Sequence, residues 1–181
     1  MSLFKKYFIN IITKVNKIVR TKGVSMSTIH LMCGYIGFGK TTVAKQIEQE
    51  TGARRFTPDD VMIELFGTDV GDDFMEKANK VDEYIWEQIA LAIKNGQDVI
   101  YDAGSWSADD RKYVMQRIQK LGAKSLWHQV NCDIELAKKR TLARSKSAEE
   151  LSVDEKFFDE NLSRYEPISQ AEQLDVVVHN N

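Results

Sequence analysis

Cysteine and proline are scarce in this chain, with two of each among 181 residues. Cys33 and Cys132 lie far apart, without a CxxC or Cys/His spacing. That excludes a zinc-finger pattern and argues against a disulfide framework; the pair reads as reduced, small buried hydrophobes of a cytoplasmic protein. Few prolines and no low-complexity tract leave no room for long disordered linkers. Long apolar runs are missing too, so neither a membrane span nor a signal peptide is expected. The three histidines, His30, His128 and His179, are scattered, each in or beside a strand, and imply no metal cluster.

Acid is absent from residues 1–27, which carry six bases: Lys5, Lys6, Lys14, Lys17, Arg20 and Lys22. The remaining 19 bases face 27 acids, a net of −8 over residues 28–181. An acidic body is a poor electrostatic partner for a polynucleotide. Within the first segment, Leu3, Phe4, Tyr7, Phe8, Ile11, Ile12, Val15, Ile18 and Val19 form an apolar stripe at helical spacing, ended by Gly23. Three readings stand side by side. The stripe packs on the domain or on another subunit; residues 1–22 lie on an anionic membrane surface; or the native domain starts near Met26. Residues 1–27 are thus a basic amphipathic extension and 28–181 a single domain, expected as a monomer or homodimer.

What is present is an alternation of short apolar runs and helical stretches. Strands are expected at 29–33, 54–57, 98–102, 125–131 and 174–178. Helices are expected at 40–50, 59–66, 74–94, 107–121 and 133–145, with another starting at Ser152-Val-Asp-Glu155. The order predicts an α/β fold, a three-layer arrangement with a five-stranded parallel sheet and helices on both faces. Ligand-binding residues then gather outside the carboxyl ends of the strands.

CGYIGFGKTT, residues 33–42, follows the first strand and fits GxxxxGK[ST] completely. Its glycines let backbone N–H groups turn toward phosphate oxygens, and the helix after it adds a positive N-terminus. Gly34, Tyr35, Ile36, Gly37, Phe38, Gly39, Lys40, Thr41 and Thr42 are therefore the expected nucleotide cradle, with ATP as donor. Lys40 would reach the β- and γ-phosphates, and the Thr41 hydroxyl would ligate Mg²⁺. Tyr35, Ile36 and Phe38 are expected to face an acceptor or a lid. Asp102, at the end of DVIYD, is the second expected Mg²⁺ ligand. After the second strand, Asp59 or Asp60 is placed to take a proton from an acceptor hydroxyl, with Asp59 preferred. Arg140 and Arg144, four apart on one helical face, can clamp charge on a transferring phosphoryl group. Asn79-Lys-Val-Asp82 matches a guanine-reading motif but lies within a helical pattern, so it reads as accidental. Trp86, Trp106 and Trp127 are core candidates, and Trp106 alone is placed near the substrate.

CGYIGFGKTT, TPDD, DVIYDAG and the Arg-x-x-x-Arg helix, in that order, resemble the polynucleotide-kinase-like small P-loop kinases. This group includes chloramphenicol-phosphotransferase-like enzymes and bacterial AAA-type ATP-binding proteins; the likeness spans 28–180. It implies a P-loop NTPase fold with the strand ending at Asp102 beside the glycine loop. It also implies an acceptor-activating role for Asp59, lid arginines at Arg140 and Arg144, and a lid loop at 145–153. Two positions depart from the group: Met62, where many relatives carry arginine, and Gly104, where threonine is usual. Both lie toward the acceptor. The expected activity is transfer of the γ-phosphate of ATP to a hydroxyl of a small-molecule or nucleoside-type acceptor. A nucleotide-binding switch or ATPase module and a toxin-like sugar-nucleotide kinase are the alternatives.

Overall fold

The computed structural model of the chain describes residues 26–68, 71, 73–145 and 153–181. Expectations for residues 1–25, and most of the lid loop at 145–153, fall outside the described residues. The elements run β1 (Thr28–Cys33), α1 (Lys40–Thr51), β2 (Arg54–Phe56), α2 (Pro58–Phe66), α3 (Phe74–Lys94) and β3 (Val99–Tyr101). They continue with α4 (Ala108–Leu121), β4 (Lys124–Asn131), α5 (Ile134–Arg144), α6 (Glu155–Leu162), a 3₁₀ turn (Gln170–Glu172) and β5 (Val176–Asn180).

All strand pairs are parallel and the sheet order is β2-β3-β1-β4-β5. The strand ending at Asp102 lies next to the glycine loop's strand, as the resemblance implies. Alternate residues of β1 feed opposite layers, because successive strand side chains point to opposite faces. Ile29, Leu31 and Cys33 pack with Val81, Ile85, Trp86 and Ile89 of α3 and with Val114 and Ile118 of α4. Met32, with Ile100 and Val130, packs against Val43, Ala44 and Ile47 of α1, Ala137 of α5 and Phe158 of α6. Helices therefore cover both faces. Among the described residues no helix is long and apolar enough to cross a membrane.

Caps set several boundaries. Ser107 and Asp110 form a reciprocal capping box that starts α4, and Gly122 in the left-handed region ends it. Asp133 starts α5 by accepting from Leu136 N at 2.9 Å. Helix α6 starts at Glu155, at the end of the expected stretch, with Asp154 as its cap, whose carboxylate accepts from Phe157 N at 2.7 Å. The last strand begins two residues after Leu174, because Leu174 packs into the core and pairing with β4 starts at Trp127↔Val176. Val176, Val177 and Val178 consequently lie exposed on the sheet edge.

The scattered histidines are brought together across β1, β4 and β5. His30 Nδ1 lies 3.0 Å from His128 Nε2, and His128 Nδ1 lies 3.0 Å from His179 Nε2. One shared proton per gap satisfies a fully neutral chain. Burial, then the charges of His30 and His179, push the His128 imidazole down to about 4. The unfolded chain therefore holds more protons between the ordinary histidine value near 6.5 and about 4. Stability should be complete above that window and fall with pH through it, by about 1.4 kcal/mol per pH unit for one such proton. A urea midpoint that drops between pH 7 and 4.5, with a shallower slope in His128→Gln, is the expected result.

Candidate active site

The glycine loop turns where its glycines allow. Gly37 (φ 78°) and Gly39 (φ 95°) occupy the left-handed region, where side chains other than glycine are strained. A Cβ on Gly37 would also lie 2.4 Å from Ala137 O, so the loop's approach to α5 admits no side chain there. Gly39 is the N-cap of α1, and the helix begins at Lys40. Lys40 Nζ donates to Tyr35 O at 3.0 Å, folding its side chain back over the loop.

The loop's variable positions do not all face outward. Tyr35 and Phe38 are buried, and their rings enter a cluster with Trp106, Phe158 and Tyr165. The Tyr35 hydroxyl donates to Phe158 O at 2.5 Å. Only Ile36 of the three lines the cavity. The apolar gain of burying two aromatic rings outweighs presenting them to a polar cleft. The expectation that Tyr35 and Phe38 meet an acceptor or lid is thereby corrected; their side chains belong to the core.

A cavity of about 310 Å³ opens at the carboxyl ends of the strands. Lys40, Thr41, Asp59, Asp60, Asp102 and Arg144 all line it. Asp102 is 5% exposed and is fixed by its own backbone N–H, which donates to Phe56 O at 2.9 Å. Burial raises its pKa, while hydrogen bonding to Thr41 and the nearby Arg55 lower it. Burial likewise presses Lys40 below the usual ammonium range, and the charges of Asp102 and Asp59 oppose this. Asp59 follows Pro58 in the first turn of α2. It stays open to solvent at the cavity mouth. Partial desolvation at the mouth of the cavity pushes its carboxyl up, against the pull of Lys40.

Of Arg140 and Arg144, only Arg144 lines this cavity, and its charge reaches both Lys40 and Asp59. Arg140 lies around the corner, donating to Cys132 Sγ at 3.5 Å. Both arginines border a second cavity of about 360 Å³, shared with Gly37, Gly39, Thr42 and Asn181. There Asn181 Nδ2 donates to Phe38 O at 2.8 Å and steadies the loop from outside. Met62 is 2% exposed and belongs to the core, so it takes no part in the cavity. Gly104 and Trp106 do line it, with the indole stacked so closely that a Cβ on Gly104 would meet Nε1 at 2.4 Å. The Asn79–Asp82 motif sits inside α3, where Asp82 accepts from the Tyr101 hydroxyl and pairs with Arg117.

Sequence reasoning missed Lys45, Arg55 and Thr57 in the cavity wall, and Asn181 at the loop. Among the described residues no group of three or more His, Cys, Asp or Glu is arranged to hold a metal. Thr41 and Asp102, which both line the cavity, nevertheless offer a hydroxyl and a carboxylate suited to Mg²⁺, which takes one or two protein oxygens and completes its shell with phosphates and water.

No curated protein matches the chain in sequence. Solved structures do match in fold. A protein of Chloroflexus aurantiacus superposes with a TM-score of 0.69 at 15% identity, over 86% of this chain and 89% of its own. A sugar kinase of Janibacter sp. gives 0.59 at 15% identity, over 86% of each chain. A gluconokinase of Sinorhizobium meliloti gives 0.53 at 12% identity, over 85% of this chain and 82% of its own. At such identities the likeness establishes the fold. The AAA domain family model AAA_33 matches residues 29–168, most of the chain, and the protein belongs to that family.

Proposed function

We propose that the protein is an ATP- and Mg²⁺-dependent kinase that moves the γ-phosphate to a hydroxyl of a small acceptor. The observation that carries this reading is the convergence of Lys40, Thr41, Asp59, Asp102 and Arg144 on one cavity. A phosphate-binding loop alone would serve many purposes. A carboxylate across the cavity from the lysine, carried on a different element and open to solvent, suits an acceptor. The sharing of this fold with a sugar kinase and a gluconokinase supports the same class.

In this reading the loop's N–H groups and the start of α1 hold the donor's phosphates. Lys40 neutralises the β- and γ-oxygens, and Arg144 meets the equatorial oxygens of the transferring group. Arg140, at the adjoining cavity, contributes from the donor side. Asp59 orients the acceptor hydroxyl and takes its proton as the oxygen attacks phosphorus. Thr41 and Asp102 would hold the cation, which supplies charge neutralisation of the triphosphate when bound. A small-molecule or nucleoside-type acceptor is favoured over a polynucleotide, because the net charge of residues 28–181 is −8, a poor electrostatic match for a long polyanion.

The test is a metabolite and nucleoside library screened for acceptor-stimulated ADP release. An acceptor that raises release in the wild type, with Lys40→Ala lowering it by about 10²–10³-fold, is the expected outcome. ATP turnover that no acceptor stimulates would instead mark an ATPase or switch module.

A further inference from the structure

Arg55, the middle residue of β2, enters the cavity wall although no motif points to it. It pairs across the sheet with Ile100, two residues before Asp102. Its side chain is 16% exposed. One guanidinium gathers oxygens from three elements. Nε lies 3.4 Å from Glu48 Oε2 on α1. Nη1 contacts Thr57 Oγ1 and lies 3.3 Å from Asp102 Oδ2 and 3.6 Å from Asp60 Oδ2. These contacts are unequal in weight. Glu48 and Asp60 are 42% and 67% exposed and screened by water, whereas the Asp102 side chain is 1% exposed. The energetically consequential partner is therefore Asp102.

We infer that Arg55 is a positioning residue for the cation: by holding Oδ2 of Asp102 it fixes the carboxylate, so that Asp102 and Thr41 meet the cation in one arrangement. The inference rests on the kinase reading of the cavity. Its physical basis is the strictness of Mg²⁺, which demands near-octahedral geometry and tolerates a swivelling carboxylate poorly. Outer partners that orient a ligating group commonly control metal affinity by 10–100-fold. The planar fork of arginine can reach several oxygens at once; a lysine in its place restores charge without the fork. Asp60 shares the same nitrogen, so Asp102 and the first turn of α2, which carries Asp59, are tied through one group.

The test compares Kd for ATP in EDTA with Kd for Mn²⁺·ATP, both by calorimetry, in wild type, Arg55→Met and Arg55→Lys. Circular dichroism melts check that each variant folds. Arg55→Met should bind metal-free ATP within about threefold of wild type, while the gain from Mn²⁺ shrinks by 10–100-fold. Arg55→Lys should fall between the two, and it carries the test alone if Arg55→Met does not fold. An unchanged Mn²⁺ gain in folded variants overturns the inference and leaves the kinase reading standing. Equal losses of metal-free and metal-bound affinity also overturn it, since Arg55 would then be shaping the cavity in general. A wild type that binds neither form removes the kinase reading and this inference together.

Discussion

Asp59→Asn is expected to lower acceptor-dependent phosphoryl transfer by about 10²–10⁴-fold, the usual worth of a positioned general base. Nucleotide affinity should hold or rise slightly. The Asp59 carboxylate acts on Lys40, and neutralising it leaves more positive potential for the triphosphate. The pH dependence provides a second readout. Partial desolvation at the cavity mouth holds the Asp59 carboxyl above the ordinary aspartate range, so its ionised form is depleted as pH falls through that raised value. Wild-type transfer should therefore decline on the acid side, and Asp59→Asn should lose that limb along with the rate. Initial-rate kinetics with calorimetric ATP binding check both. Full activity in Asp59→Asn would shift the role to Asp60, which sits exposed one residue along and contacts Arg55.

Arg111→Met should destabilise the fold by about 3 kcal/mol, the lower end for breaking a buried ion pair, since the Glu172 side chain left behind is 16% exposed. Arg111 is 1% exposed, although it stands on a helix of predominantly polar sequence. Its guanidinium is bidentate to Glu172, at 2.7 Å from Nε and 2.9 Å from Nη2. Nη1 also donates to the carbonyls of Ser105, Trp106 and Glu166 at 3.2, 3.2 and 2.9 Å. The methionine fills the volume but takes the guanidinium from Glu172, which keeps only Ser169, and from Glu166 O; Ser105 O and Trp106 O retain Cys33 Sγ and Glu166 N as donors. The double variant Arg111→Met/Glu172→Leu should recover part of the loss, because it removes the uncompensated charge. A urea midpoint series on the two single variants and the double measures this directly. Hydrogen bonding from Arg111 draws the Glu172 carboxyl below its ordinary value. The pair's contribution is thus present above the unfolded glutamate value and fades as pH falls toward the folded one.

The glycine loop and the strand–helix alternation were readable because each depends on neighbours in sequence. Ser107 to Asp110 announces a helix start from four residues, and Asp133 from even fewer. Arg55 could not be found that way. Its meaning depends on β2 lying beside β3, which brings Asp102 to it from 47 positions away. The inward turn of Tyr35 has the same origin, since Phe158 O lies 123 positions on. The GxxxxGK[ST] pattern fixes the backbone path and says nothing of where the variable side chains go. The histidine chain was hidden for a third reason. Single histidines on three strands look unrelated until the β1–β4 and β4–β5 registers place them two positions apart, diagonally, on one face of the sheet. Met62 shows a further limit of motif spacing. Three residues after Asp59 the helix has turned toward the core, so that position does not reach the cavity.

The aromatic cluster under the glycine loop gives the protein a native optical probe. Trp106 lines the cavity, its ring centroid 5.0 Å from that of Tyr35, with the Arg164 guanidinium 5.9 Å from its centroid. Trp86 and Trp127 lie deep in the opposite layer, 6% and 0% exposed. Of the three indoles only Trp106 lines the cavity, so a change of tryptophan emission on adding nucleotide, lost in Trp106→Phe, is the expected result.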